Sequence, residues 1–397
     1  MLENISHVPL TPRVGSEAKP LSLGYFAMPV FADTLAKHHQ QNYRLAIDDL
    51  TSPVGNIDQF LSNLNLLDVN WDELTRNRDI ESHNKVFFFL QEGLNSGWIK
   101  QEINEVASCF NSGGCGKSEF LFLPDNKLYS QGKHKCMEDG KCNVCHKAIE
   151  VRPINSLVWY IDENQHDFAK ISRKFYPEYA VTEIKDHWNK LKNSKLLISR
   201  QRATEFVCNV NDEIFFMDND LINYLSMINL GEKSNLVLYF SGQGVLRQTL
   251  LMCLAGEQLA SKENWKQPLV VTVPRINVTS SYRSEAEQDI HKYISRGISK
   301  QTLKTFLVQA FGNPAKEISL DSAAIYHINL AVKKIEKMED NLWSTHSSDL
   351  TEEAVKVDHR NILQGLVKKI KRPDFSIKTL NEQEWFLVSV MSNRAID

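Results

Sequence analysis

Nowhere does this 397-residue chain run apolar for the roughly 18–20 residues that a membrane-crossing helix needs. The longest apolar blocks, "VFFFL" at 86–90 and "LVLYF" at 236–240, have the length of core strands. A basic excess is also missing. Lys and Arg number 46 against 49 Asp and Glu, a net charge of -3, which speaks against bulk nucleic-acid binding. The opening "MLENISHVPLTPRVGSEAKP" has no basic start followed by an apolar block, so no secretory signal is read there and a cytoplasmic chain is expected. Seven cysteines, an odd number, favour reduced thiols over a disulfide framework. No repeat of the length that builds solenoids is visible.

What is present is an ordinary globular composition, 42% hydrophobic and 24% charged. Residues 1–34, rich in Pro, Ser and Gly, read as an extended lead-in or surface arm. From about 35 to 108 the pattern reads as mainly helical, with "TLAKHHQQNYRLAIDDL" and "NIDQFLSNLNLL" placing apolar residues three and four apart. Beyond 119, "EFLFL", the turn "PDNK" and "KLY" read as a hairpin, and "SLVWYID", "ENQ" and "FAKIS" as another. "TEIKDHWNKLKNS" reads as an amphipathic helix. Strands follow at "EFVCNV", "EIFFMD", "NLVLYF" and "PLVVTV", with the helix "VLRQTLLMCLAGEQLA" between the last two. Helices return in "LKTFLVQAF", "AAIYHINLAVKKIEKM" and "NILQGLVKKI". The expected fold is α+β: an N-terminal arm and helical segment over 1–84, a strand-rich core over 85–275 and a helical C-terminal domain over 276–397.

Four clusters carry candidate chemistry. "NSGGCGKS" resembles a phosphate-binding loop, but Asn111 stands where the first glycine belongs. Such a loop also needs a strand before it and a helix after it. Here "QEINEVAS" reads as helix-like and a strand follows at once, so an NTPase loop is not expected. In "CMEDGKCNVCH", Cys136, Cys142 and Cys145 with His134 or His146 have zinc-ligand chemistry at a spacing that matches no standard finger. "SSYRSEAEQD" places Glu285 and Glu287 after a strand, in the order used by ADP-ribosyltransferases, whose ligand is NAD; a helix N-terminus enriched in acids is the simpler account. Finally, Ser118 with "HKAIE" supplies a serine, His146 and Glu150. On a helix the last two would share a face, so the carboxylate would orient the imidazole.

Residues 116–200 resemble a domain shared by plant IQ-motif proteins and bacterial effectors. The likeness rests on "GKSEFLFLPDNKLYSQGKH", "CHKAIEV" and the segment from "SLVWYID" to "KLLI", in which Ser172 and Pro177 match a family turn. The bacterial members include actin-dependent phosphoryl-AMPylases carrying a Ser…His-x-x-x-Glu signature, which Ser118, His146 and Glu150 match in order. This resemblance implies a nucleotidyltransferase moving AMP from ATP, with Mg²⁺, onto a phosphorylated group of a protein. The acceptor would be modified ubiquitin or another host protein, with actin as activator and action in the host cytosol. Lys117 and the amides near Gly114 and Gly116 would then help to hold phosphate.

Overall fold

A computed structural model describes residues 5–9, 21, 23–50, 54–109, 119–120, 128–129, 141, 146–148, 150–200, 206–228, 236–260, 265, 268–273, 275–279, 290–295, 297–309 and 317–321. The chain begins β1 (Ile5–Pro9), α1 (Gly24–His39), β2 (Asn42–Ile47), α2 (Val54–Leu66), β3 (Glu73–Arg76) and α3 (Ile80–Ser96). It continues with β4 (Ile99–Ser108), β5 (Glu119–Phe120), β6 (Leu128–Tyr129) and β7 (Glu150–Ile161). Then come α4 (Phe168–Ser172), β8 (Phe175–Tyr176), α5 (Glu178–Leu191), β9 (Ser194–Leu197) and β10 (Ser199–Arg200). Strands β11 (Val207–Val210) and β12 (Glu213–Met217) precede α6 (Asn219–Ser226), β13 (Leu236–Gly242), α7 (Leu246–Leu259) and β14 (Leu269–Val273). The last described elements are β15 (Arg275–Thr279), α8 (Ile290–Ser295), α9 (Lys300–Gln309) and β16 (Glu317–Asp321).

The main sheet has six strands in the order β3-β2-β1-β13-β14-β8, every neighbour parallel. Alternate residues of its strands enter two cores. Tyr43, Leu45, Ile47 and Phe240 pack on one face against α1, α2, α8 and α9. Ala46, Val237, Tyr239 and Val270 pack on the other against α3, α5, α6 and α7. Burial on both faces explains why these strands read as short apolar runs, and why α7 is buried nearly all round. In sequence, between β3 and β13, the chain builds a five-stranded sheet, β5-β4-β7-β9-β6, whose long antiparallel ladder pairs Ile99 with Trp159 and Ser108 with Glu150. Gly97, at φ 77, ends α3 in the left-handed conformation and turns the chain into β4.

The fold is α+β, and α2, α5, α7, α9, β13 and β14 stand where the pattern places them. Several local readings differ. Residues 5–9 form a central strand instead of an arm, and three parallel strands lie before residue 84, in one sheet with strands after 235. "VFFFL" lies inside α3. "QEINEVAS" belongs to β4, because the ladder to β7 pairs its backbone groups and overrides the helix preference of Gln, Glu and Ala. The described residues of "EFLFL" and "KLY" pair with other strands and not with each other: β5 pairs with β4, and β6 runs parallel to β9. "FAKIS" is helix α4, capped by the Asp167 side chain accepting from Lys170 N–H, since β7 already has β4 and β9 on its two edges. The helical patterns at "AAIYHINLAVKKIEKM" and "NILQGLVKKI" lie outside the described residues. Among the described residues no helix is long and apolar enough to cross a membrane.

Candidate functional site

Strand β1 leads into α1 on one face of the parallel sheet, whereas its neighbour β13 leads into α7 on the other. The connections diverge at their carboxyl ends. Open parallel sheets bind ligands in the crevice that such a reversal creates. On the β13 side the crevice is bordered by Ser241 and Gly242 and by a short turn, Gln243–Val245, into the 14-residue helix α7. Among the described residues a side chain at Gly242 would meet the Val245 Cγ2 atom alone, at 3.8 Å. The N-cap residue of α7, Val245, has no side chain able to cap it, and the helix begins at the carboxyl edge, where its dipole favours an anion. Just inside the edge, the Ser241 and Thr249 hydroxyls are 2.6 Å apart, and Thr249 donates to the Val245 carbonyl at 3.1 Å.

The carboxyl ends of β2 and β3 bring a buried polar cluster to the same edge. The Asn77 side-chain carbonyl accepts from the N–H groups of Asp49 and Leu50, both at 3.0 Å. Its amide donates to Asp48 Oδ1 at 3.1 Å and to Asn223 Oδ1 on α6 at 3.0 Å. One fully buried amide thus makes four bonds and locks two strand ends to a helix. Asp49 accepts from Arg78 N–H at 3.1 Å; burial pushes its carboxyl above the usual range, against the pull of that bond and of the Arg78 and Arg76 charges. Beneath α6, Arg200 Nη2 meets Asp218 Oδ2 at 2.5 Å, both side chains being buried.

Of the residues singled out in the sequence, Ser118, Lys117, Gly114, Gly116, Cys136, Cys142, Cys145, His134, Glu285 and Glu287 lie outside the described residues. His146 and Glu150 are described, and no helix joins them. His146 is exposed at φ 56, and Glu150 opens strand β7, where its carboxylate pairs with Arg152 Nε at 3.1 Å and Nη2 at 2.5 Å. The helical face assumed for the pair is therefore absent. Glu150 also lies at the far end of a 12-residue strand, about 36 Å from Ile161 at 3.3 Å per residue. The glycine-rich loop follows a strand, β4, and not a helix; β5 comes after it, so the helix a phosphate loop requires is still missing.

Sequence reasoning passed over Asp49, Asn77 and the turn "SGQG". One signal was available, since "NLVLYF" and "VLRQTLLM" were legible as strand and helix, and the glycines between them mark the turn from the one to the other. Among the described residues no group of three or more His, Cys, Asp or Glu side chains stands together as a metal site.

Neither a family model nor a curated protein matches this chain. Solved structures do. The Mycobacterium tuberculosis methionyl-tRNA synthetase in complex with methionyl-adenylate superposes with a TM-score of 0.57 at 12% identity, covering 82% of this chain and 68% of that one. A second structure of that enzyme bound by methionyl-adenylate gives 0.54 at 11% identity, with the same coverage. At such identity the likeness establishes a shared fold.

Proposed function

We propose that this chain binds ATP at the carboxyl ends of β1 and β13 and transfers its adenylyl group to an anionic acceptor. The observation that carries the reading is the reversal of the parallel sheet between β1 and β13, with the start of α7 beside it. The fold is shared with structures whose ligand is an adenylate, which supports placing the nucleotide at this edge. In the reaction, an acceptor oxygen attacks the α-phosphorus. The bond to the oxygen bridging the α- and β-phosphorus breaks, and its electron pair leaves with pyrophosphate. The amides at the start of α7 would face the charge that builds on the α-phosphate. The described residues do not fit a resident metal ion held by protein ligands alone, so Mg²⁺ belongs to the reaction as the ion that ATP carries.

The favoured acceptor is a carboxylic acid, by analogy with methionyl-adenylate. The sequence resemblance supports a narrower second reading: AMP transfer to a phosphorylated group on a host protein, through Ser118, His146 and Glu150, with actin as activator. ADP-ribosyl transfer through Glu285 and Glu287, or host binding through a zinc knot, are the remaining readings of the sequence.

ATP–pyrophosphate exchange with a pool of amino acids tests the main reading, alongside labelling of host proteins from α-labelled ATP with and without actin. Gly242→Val, which fills the crevice, and Asp49→Asn should each lower exchange on the order of 100-fold, the scale of losing one positioned group. His146→Ala and Glu150→Gln should leave exchange unchanged. Protein labelling that disappears in those two variants would move the chemistry to the inserted sheet. Absence of both exchange and an ATP-induced rise in Tm would refute adenylyl transfer.

A further inference from the structure

We infer that the acceptor carries a hydrogen-bonding group, a hydroxyl or a carboxamide, read by the Thr272 hydroxyl and the Gln248 side-chain amide; this rests on the adenylyl-transfer reading. Both side chains are more than nine-tenths buried, Thr272 being 4% and Gln248 7% exposed. Among the described residues Thr272 Oγ1 and Gln248 Oε1 have no hydrogen-bond partner. Buried polar atoms are nearly always satisfied, so two orphans at one edge of the sheet ask for an explanation.

Their place is the crevice. Thr272 is the penultimate residue of β14 and pairs in register with Ser241, the penultimate residue of β13. Register partners point to the same face of a sheet. Ser241 faces α7, since its hydroxyl meets Thr249, and Thr272 therefore faces the same side. Gln248 neighbours Thr249 in the first turn of that helix. Thr272 thus lies beside the Ser241–Thr249 hydroxyl pair on the α7 side of the carboxyl edge, and Gln248 is in the first turn of the helix at the same edge.

The chemistry of the two atoms defines the ligand class. A Gln carbonyl accepts, and a Thr hydroxyl both donates and accepts. A hydroxyl or carboxamide can engage both, whereas an aliphatic or thioether side chain would leave both unpaired. Sites of this kind reject the analogue lacking the polar group by on the order of 10⁴-fold.

The test has two arms. In the first, exchange kinetics compare threonine with valine, serine with alanine, and glutamine with methionine, in the wild type, Thr272→Val and Gln248→Leu. The wild type should prefer the polar member of at least one pair, and the variants should lose most of that preference. A wild type preferring the apolar members throughout overturns the inference. The second arm needs no substrate: Tm of the free protein. Removing an orphaned polar atom relieves an unpaid desolvation, so both variants should melt higher than the wild type. An unchanged or lower Tm means that the atoms are satisfied without ligand, and the inference falls. If no acid supports exchange, adenylyl transfer to carboxylates fails, and the Tm arm still decides whether Thr272 and Gln248 are vacant.

Discussion

The parallel sheet and the inserted antiparallel sheet treat polar residues in opposite ways. In the parallel sheet, strands of two to seven residues lie between helices on both faces, and polar side chains collect at the carboxyl edge. Asp49 belongs to that edge, and burial raises its pKa. In the insertion, β7 runs for twelve residues. Its base is packed through Leu157, Trp159 and Ile161, while its distal half faces solvent: Val151 is 53% exposed, and Ile103 on β4 is 74% exposed. Charged groups there pair across the open face, as Glu102 does with Lys195 at 2.6 Å. At the buried edge desolvation works against the charged form of Asp49, whereas on the open face the partners Glu102 and Lys195 each favour the other's charged form. Perturbed groups at a sheet edge are better candidates for chemistry than motif residues at an exposed tip.

The joint between the two regions should give the largest effect on stability. Arg200 on β10 and Asp218, just before α6, form a pair with side-chain exposures of 6% and 3%. Arg200→Met leaves a buried carboxylate without its charge partner and should cost about 3–5 kcal/mol. Adding Asp218→Asn removes that charge and keeps an acceptor for the Leu221 N–H, so the double variant should regain most of the loss. Urea unfolding of the three proteins checks this. A single variant within about 0.5 kcal/mol of wild type would mean that the joint is solvated.

The fold was more legible in the sequence than the site, for reasons that particular elements show. Helices with one apolar face, such as α2 and α5, declare themselves by period, and the buried strands β13 and β14 by their apolar runs. Strand β4 did not. Its residues "QEINEVAS" favour helix locally, and only the ladder to β7, some fifty residues on, makes them a strand. β1 was hidden for a related reason: "ISHVP" is short and punctuated by Ser, His and Pro, and its neighbours in the sheet lie some 35 and 230 residues away. The site was hidden because it is topological. Asn77, Asp49 and Asn223 match no motif, and they converge only once β2, β3 and α6 are in place.

The seam between insertion and parallel sheet offers a smaller test. His166 has a fully buried side chain; its Nδ1 lies 3.1 Å from Glu257 Oε2 on α7, and its ring stands edge-on to Trp188 at 5.9 Å. His166→Ala empties that position and removes one of the two bonds to Glu257, the other coming from Asp167 N–H at 3.4 Å, which should cost about 2 kcal/mol. The exposed His146 at the insertion tip is the control. His146→Asn, which tolerates the positive φ, should stay within about 0.5 kcal/mol of wild type. Equal losses from the two would break the contrast between seam and tip.

The smallest expected effect belongs to the open face, and pH exposes it. Partial burial works against the Glu102 carboxylate, but bonds from Lys195 and Tyr160 and the Lys195 charge outweigh it, so its pKa falls below 4.5. Burial likewise opposes the Lys195 ammonium, and its bonds to Glu102 and Tyr160 lift its pKa above 10.5. A depressed carboxylate pKa contributes stability above the unfolded value, and that contribution disappears as pH falls through the folded one. A raised ammonium pKa contributes below the unfolded value, and that disappears as pH rises through the folded one. The pair therefore stabilises between the two limits. Both side chains are about a quarter exposed, so the contribution should stay under about 1 kcal/mol. Glu102→Gln should lower the urea midpoint slightly at neutral pH and match the wild type once acid has protonated the carboxylate. A deficit that persists unchanged at acid pH would show that Glu102 acts by packing, and the face would then resemble the buried edge after all.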